Sequence, residues 1–156
     1  MVVLMRNILF LISLITFSFS SQYTFLVDKY DEEIELEAKI ISNISAALKE
    51  DKITLFIPKI SNVEKDIYSK FFTIVDNCKD ANFIFEKRNF EKNSYCGDEN
   101  KLFFTNNYQK LLHNKSYIGA FFWNKSRPNI TLVKNRLLKE NIKLSSDYEK
   151  FIEDIK

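Results

Sequence analysis

Ile34, Ala38, Ile41, Ser45 and Leu48 recur at intervals of three and four, and Ile40, Ile44 and Ala47 widen the stripe. That period predicts an amphipathic helix that ends near Leu48. Glu32, Glu33, Glu35 and Glu37 fall in its expected first turns, where the helix dipole favours negative charge. A short apolar entry, Tyr23 to Val27, precedes it, and Lys49 and Lys52 follow its end. Then the pattern changes. Ile53-Thr54-Leu55-Phe56-Ile57 is a continuous apolar run closed by Pro58, as expected of a central strand covered on both faces. Val63, Ile67, Phe71, Ile74 and Val75 return to helical spacing, with Asn62 as the expected N-cap and Lys65, not a carboxylate, three residues on. Phe71 to Val75 also reads as a strand.

Further on, Asn82 to Glu86 and Lys101 to Thr105 read as two strands separated by a polar loop, residues 88–100. Tyr108 to His113 forms a short helix or turn. Ile118 to Trp123 and Ile130 to Val133 are two strands of a hairpin, whose turn is expected over Lys125 to Pro128. Asn135 to Glu140 predicts one helical turn. Ser145 or Ser146 caps a last helix with Tyr148, Phe151, Ile152 and Ile155 on its apolar face. Together these elements predict an α/β sandwich: a central mixed sheet with parallel early strands, helices on both faces, and a C-terminal β-hairpin plus helix.

Composition adds a compartment. Arg6 stands before an apolar run, Asn7 to Phe17, and the small residues Ser18 and Ser20 follow. This is the pattern of a secretory signal peptide over residues 1–21, leaving residues 22–156 as one α/β domain. The alternative is an uncleaved membrane anchor, although the run is shorter than the roughly 20 apolar residues that cross a bilayer. The expected location is the periplasm, with no stable membrane insertion after cleavage. The chain carries 23 basic and 21 acidic side chains, interspersed rather than clustered, which argues against a nucleic-acid partner. Cys78 and Cys96 form an even pair in an exported chain, so a disulfide is expected, either structural or redox-responsive.

Catalytic chemistry finds little support. The single histidine, His113, has no marked nucleophile beside it in sequence, and no G-x-S-x-G elbow is present. One histidine and two paired cysteines cannot make a zinc site, and two glycines cannot make a phosphate loop. No catalytic residue, metal or cofactor is therefore expected. Four Asn-x-Ser/Thr sequons begin at Asn43, Asn114, Asn124 and Asn129; in a chain this rich in Asn and Ser they read as chance. The stretch GAFFWNKSRPNI, residues 119–130, does stand out. It holds one of the two glycines, one of the two prolines and the only tryptophan. Phe121, Trp123, Arg127 and Pro128 are the candidate partner contacts, since Trp and Arg are frequent energetic anchors at interfaces. The other reading puts Phe121 in the core and Trp123 against the hairpin rim.

The stretch GAFFWNKSRPNITLVKNRLLKENIKLSSDYEKFI, residues 119–152, resembles the end of YfiR-type periplasmic proteins. The matching positions are Gly119, Ile130, Leu132, Leu137, Ile142-Lys143-Leu144-Ser145-Ser146 and Phe151. The family's Trp-Pro pair near its first helix is replaced by Glu-Leu-Glu-Ala-Lys-Ile-Ile, residues 35–41. The resemblance implies a fold like half of a periplasmic binding protein and a disulfide that serves stability or redox sensitivity. It also implies a non-enzymatic role, tuning an inner-membrane signalling protein such as a diguanylate cyclase. The alternative expectation, from export and size, is a small solute-binding protein associated with a transporter.

Overall fold

The computed structural model describes residues 20–49, 51–87, 96 and 100–155. The chain divides into two compact units, Met1–Leu36 and Glu37–Lys156, and the boundary falls inside the first described helix. That helix, α1, spans Ser20–Leu48. No glycine or proline interrupts the sequence between those residues, so nothing in the backbone stops it. The entry Tyr23 to Val27 is therefore helical. Glu32 to Glu37 lie in the body of the helix, and no acidic residue occupies its first turn. Most of the signal segment and of the loop 88–100 lies outside the described residues.

The second unit is an α/β sandwich around one mixed seven-stranded sheet. Its strands are β1 (Thr54–Phe56), β2 (Thr73–Ile74), β3 (Phe83–Glu86), β4 (Leu102–Thr105), β5 (Tyr117–Asn124), β6 (Arg127–Val133) and β7 (Ile152–Glu153). Their order is β2-β1-β3-β4-β5-β6-β7; the first five are mutually parallel, and β6 runs antiparallel to β5. The chain order thus reverses between β1 and β3, the switch point at which doubly wound sheets open a crevice.

Three further helices flank the sheet: α2 (Asn62–Tyr68), α3 (Tyr108–His113) and α4 (Lys134–Lys139). The N-cap of α2 is Ser61, one residue earlier than expected. Its hydroxyl accepts from the Glu64 N–H while the Glu64 carboxylate accepts from the Ser61 N–H, so a reciprocal capping box is present after all. The helix stops at Tyr68, and the β-branched pair Thr73-Ile74 joins the sheet edge, which decides that segment as strand. The expected last helix is also corrected. Ser146–Phe151 makes a short 3₁₀ turn, Ser145 caps it without a side-chain bond, and Ile152 and Glu153 pair with Leu132 and Val133 as strand.

Successive strand residues alternate faces. Ile84 joins Ala81, Phe103, Leu111, Tyr117, Ala120 and Val133 in one core beneath α3. Phe83 and Phe85 point the other way and pack their rings on Phe104, at 5.9 and 6.3 Å between centroids. In β1, Leu55 is buried and Thr54 and Phe56 are half-buried, so one face is covered less fully than the apolar run suggested. A bulge where β4 meets β5 pairs Phe103 with Tyr117 but Phe104 with Gly119. Beyond it the parity of β5 inverts, sending Phe121 and Trp123 to the Phe104 face and Ala120 and Phe122 to the α3 face.

Arg136 fixes the joint between α3 and the hairpin. Its Nη1 donates to the carbonyls of Leu111, Asn114 and Tyr117 at 2.9, 3.1 and 2.6 Å. It thereby ties the Leu111 carbonyl at the end of α3 to those of Asn114, just past the helix, and Tyr117, the first residue of β5. Cys78 and Cys96 form a disulfide, with their Cα atoms 5.3 Å apart, that ties the turn before β3 to the segment after it. No helix among the described residues is long and apolar enough to cross a membrane.

Candidate functional site

Two places combine polar or exposed aromatic side chains in ways that folding alone does not demand. The first is the C-terminal end of β3, beside the switch point. Glu86 closes the apolar run Phe83-Ile84-Phe85 and Lys87 follows at once. Because neighbours alternate, the two charges serve opposite faces of the sheet. Lys87 reaches Glu37 of α1 at 2.5 Å and Glu64 of α2 at 2.9 Å, and its ammonium lies 5.4 Å from the centre of the Tyr68 ring. The Tyr68 hydroxyl donates to Glu37 at 2.6 Å. On the other face, Glu86 accepts from Lys110 of α3 and from the Tyr117 hydroxyl, and the Thr105 hydroxyl donates to the Glu86 carbonyl at 3.2 Å.

Burial and charge compete at each of these groups. Burial pushes the Glu64 carboxyl up, but the Lys87 ammonium and the Ser61 donors outweigh it and hold it at about 2. Burial lowers Lys87, and the Glu37 and Glu64 carboxylates more than offset this, so its pKa lies above the ordinary lysine value. Tyr68 is driven far up, first by burial and then by Glu37; Tyr117 is raised by burial and by Glu86. Lys87 is thus fixed as an ammonium, Glu64 as a carboxylate, and Tyr68 and Tyr117 as neutral phenols at neutral pH. Such an arrangement holds α1, α2 and α3 to the end of β3 through oriented polar groups. Among the described residues no group of His, Cys, Asp and Glu is arranged to hold a metal ion.

The sequence pattern placed Glu37 among the acids of the expected first turns and did not single out Lys87 or Tyr68. One signal does point to them: a Glu-Lys pair at the end of an otherwise apolar parallel strand is out of place unless both charges find partners.

The second place is the hairpin. β4 covers β5 only as far as Ala120, and β7 covers β6 only at Leu132 and Val133. Among the described residues, the two strands from Phe121 to Ile130 therefore pair only with each other, as a two-stranded arm. The turn is tighter than expected, consisting of Lys125 and Ser126 alone, while Arg127 and Pro128 belong to β6. Both turn residues have positive φ, 48° and 60°, the left-handed conformation that a type I′ turn requires and that usually selects Asn-Gly. Pro128 sits where β6 has no second neighbour among the described residues, so its missing N–H breaks no described ladder on that side.

The four expected contact residues separate here. Phe121 is fully buried, so it belongs to the core. Trp123, 36% exposed, lies edge-on to Phe121, with ring centroids 5.6 Å apart and planes at 85°. Trp123 pairs across the arm with Pro128, and Arg127 and Pro128 are exposed. The arm thus brings together Trp123, Arg127 and Pro128. His113 is exposed, and its Nδ1 bonds the Gln109 carbonyl of its own helix at 2.7 Å.

Comparison of this chain with protein-family models, with curated proteins and with solved structures returns no match.

Proposed function

We propose that this chain is an exported, non-enzymatic regulatory or sensing module of the periplasm that acts by binding a partner protein through its hairpin arm. The observation that carries this reading is the arm itself. A two-stranded ribbon is marginal in water without a third strand or a packed face. Yet this one ends in a half-exposed Trp, an Arg and a Pro, over a turn of two non-glycine residues at positive φ. Outliers of that kind collect where a surface is shaped for recognition, and the aromatic–cation composition matches interface anchors. The Cys78–Cys96 disulfide supports export to an oxidising compartment.

The partner class proposed is an inner-membrane signalling protein such as a diguanylate cyclase, following the resemblance to YfiR-type proteins. The test is recovery of such a protein from solubilised membranes by the wild-type chain and by Trp123→Ala/Arg127→Ala. Loss of recovery by a variant that keeps its folded spectrum supports the arm as contact surface; undiminished recovery overturns it.

A second reading is favoured by a different observation. The strand order reverses between β1 and β3, and the polar cluster of Glu86 and Lys87 lies at that strand end. Doubly wound sheets take small ligands there. This supports a small solute-binding protein that works with a transporter. A thermal-shift screen of small polar solutes discriminates: a ligand lost on Lys87→Met but kept by the arm variant favours this reading.

A further inference from the structure

At the opposite end of the strands, where β4 and β5 begin, a small cavity of about 100 Å³ has Lys101, Lys115, Ser116, Arg136, Lys139 and Glu140 in its lining, beside the apolar Phe103 and Ile118. Four cationic residues and one acidic residue line a space that would hold roughly three waters at liquid density. Elsewhere the charges of this chain are interspersed, so the imbalance is local.

The centre of the arrangement is Arg136. Its residue is 9% exposed, and Nη1 alone makes the three bonds to backbone carbonyls. Nη2 and Nε bond no acceptor among the described residues, and Arg136 forms no salt bridge there. Among the described residues no fully buried side-chain nitrogen is without a partner, so these donors keep access to open space, and the cavity is the space that Arg136 lines. A guanidinium fixed by its back edge, with its other donors still available, is preorganised for a planar or tetrahedral oxyanion. Lys101 is fixed as well, its ammonium held 2.8 Å from the carbonyls of both Lys79 and Ala81. Lys115 and Lys139 are exposed and form no salt bridge among the described residues.

We propose that this cavity binds a phosphoryl group, with Arg136 as the fixed anchor and Lys115 and Lys139 closing over it from the rim. Its size admits one tetrahedral oxyanion, so the rest of any larger ligand extends into solvent. Inorganic phosphate, a phosphorylated small molecule and an anionic lipid headgroup share this chemistry. The site is separate from the hairpin turn and does not depend on the arm's being a partner surface.

The test uses the intact protein at constant ionic strength. Inorganic phosphate, titrated against chloride, is expected to raise the melting temperature saturably. Lys115→Gln/Lys139→Gln removes only exposed side chains; it should melt at the wild-type temperature without phosphate and bind phosphate about tenfold more weakly or worse. Flotation with phosphatidylglycerol against phosphatidylcholine vesicles separates the sources. Binding to the former that phosphate competes away assigns a headgroup; saturable phosphate binding without flotation assigns a soluble ligand. Absence of a saturable shift, or an unchanged phosphate affinity in the double variant, overturns the proposal.

Discussion

The Lys87 ammonium lies 2.5 Å from the Glu37 carboxylate, tying the residue that follows β3 to α1. Lys87 and Glu37 are 11% and 7% exposed at their side chains, and the same ammonium also holds Glu64. Removing one member of a buried ion pair leaves the other charge uncompensated, which costs roughly 3–5 kcal/mol. Lys87→Met is expected to lose that much in urea unfolding. Lys87→Met combined with Glu37→Gln should recover part of the loss, because one orphaned charge is neutralised.

Acid titration should report on Glu64. Its carboxyl is held at about 2 against an ordinary value of 4.5. A depressed carboxylate contributes stability that is fully present above its unfolded pKa and lost as pH falls through its folded one. The denaturation midpoint should therefore decline between pH 4.5 and pH 2. Glu64→Gln should be less stable at neutral pH and show a shallower decline across that window; the measurement is urea midpoints at each pH for both proteins.

Gly119 is fixed by close packing rather than by turn geometry. A Cβ there would stand 2.4 Å from Phe104 Cε2, 2.7 Å from the Thr131 carbonyl oxygen and 2.8 Å from Leu132 Cδ2. One of these three is backbone in the neighbouring strand, so the clash cannot be relieved by rotating a side chain alone. Gly119→Ala should destabilise by about 1–3 kcal/mol as an overpacking substitution, read as a lower melting temperature.

The turn offers a change of opposite sign. Lys125 and Ser126 hold left-handed backbone at a steric cost of about 1–2 kcal/mol per residue. Lys125→Asn/Ser126→Gly supplies the pair that type I′ turns prefer and should raise stability by about 1 kcal/mol. If the turn is shaped for partner contact, the stabilised variant should bind its partner no better than wild type.

Much of this fold was legible from periodicity. The buried stripe Ile34, Ala38, Ile41, Ser45 and Leu48, the strands through Leu55, Phe85 and Phe104, and the hairpin follow from apolar spacing. The Cys78–Cys96 pair followed from count and expected compartment. What was missed required tertiary knowledge. Ile152 fits a helical stripe by spacing, yet it pairs with Leu132 across the sheet because β6 has an open edge there. The Ser61–Glu64 capping box was written in the sequence but hidden by Asn62, an equally good cap one residue later. Glu37 looked like one of several dipole-matched acids at a helix start, and only the fold brings Lys87 and Tyr68 to it from distant parts of the chain. The bulge between β4 and β5 inverts which face Phe121 and Trp123 occupy, and no local pattern announces it.

The partner surface proposed on the arm, with Trp123, Arg127 and Pro128, can be tested by affinity recovery from solubilised inner membranes. Wild-type and Trp123→Ala/Arg127→Ala proteins would be matched for melting temperature, and retained proteins identified by mass spectrometry. Wild type is expected to retain an inner-membrane signalling protein with a cytoplasmic catalytic domain. The double variant should retain at least about tenfold less of it, as expected for the loss of anchor residues. Equal recovery by the two proteins, or no such protein with either, would refute the arm's proposed role.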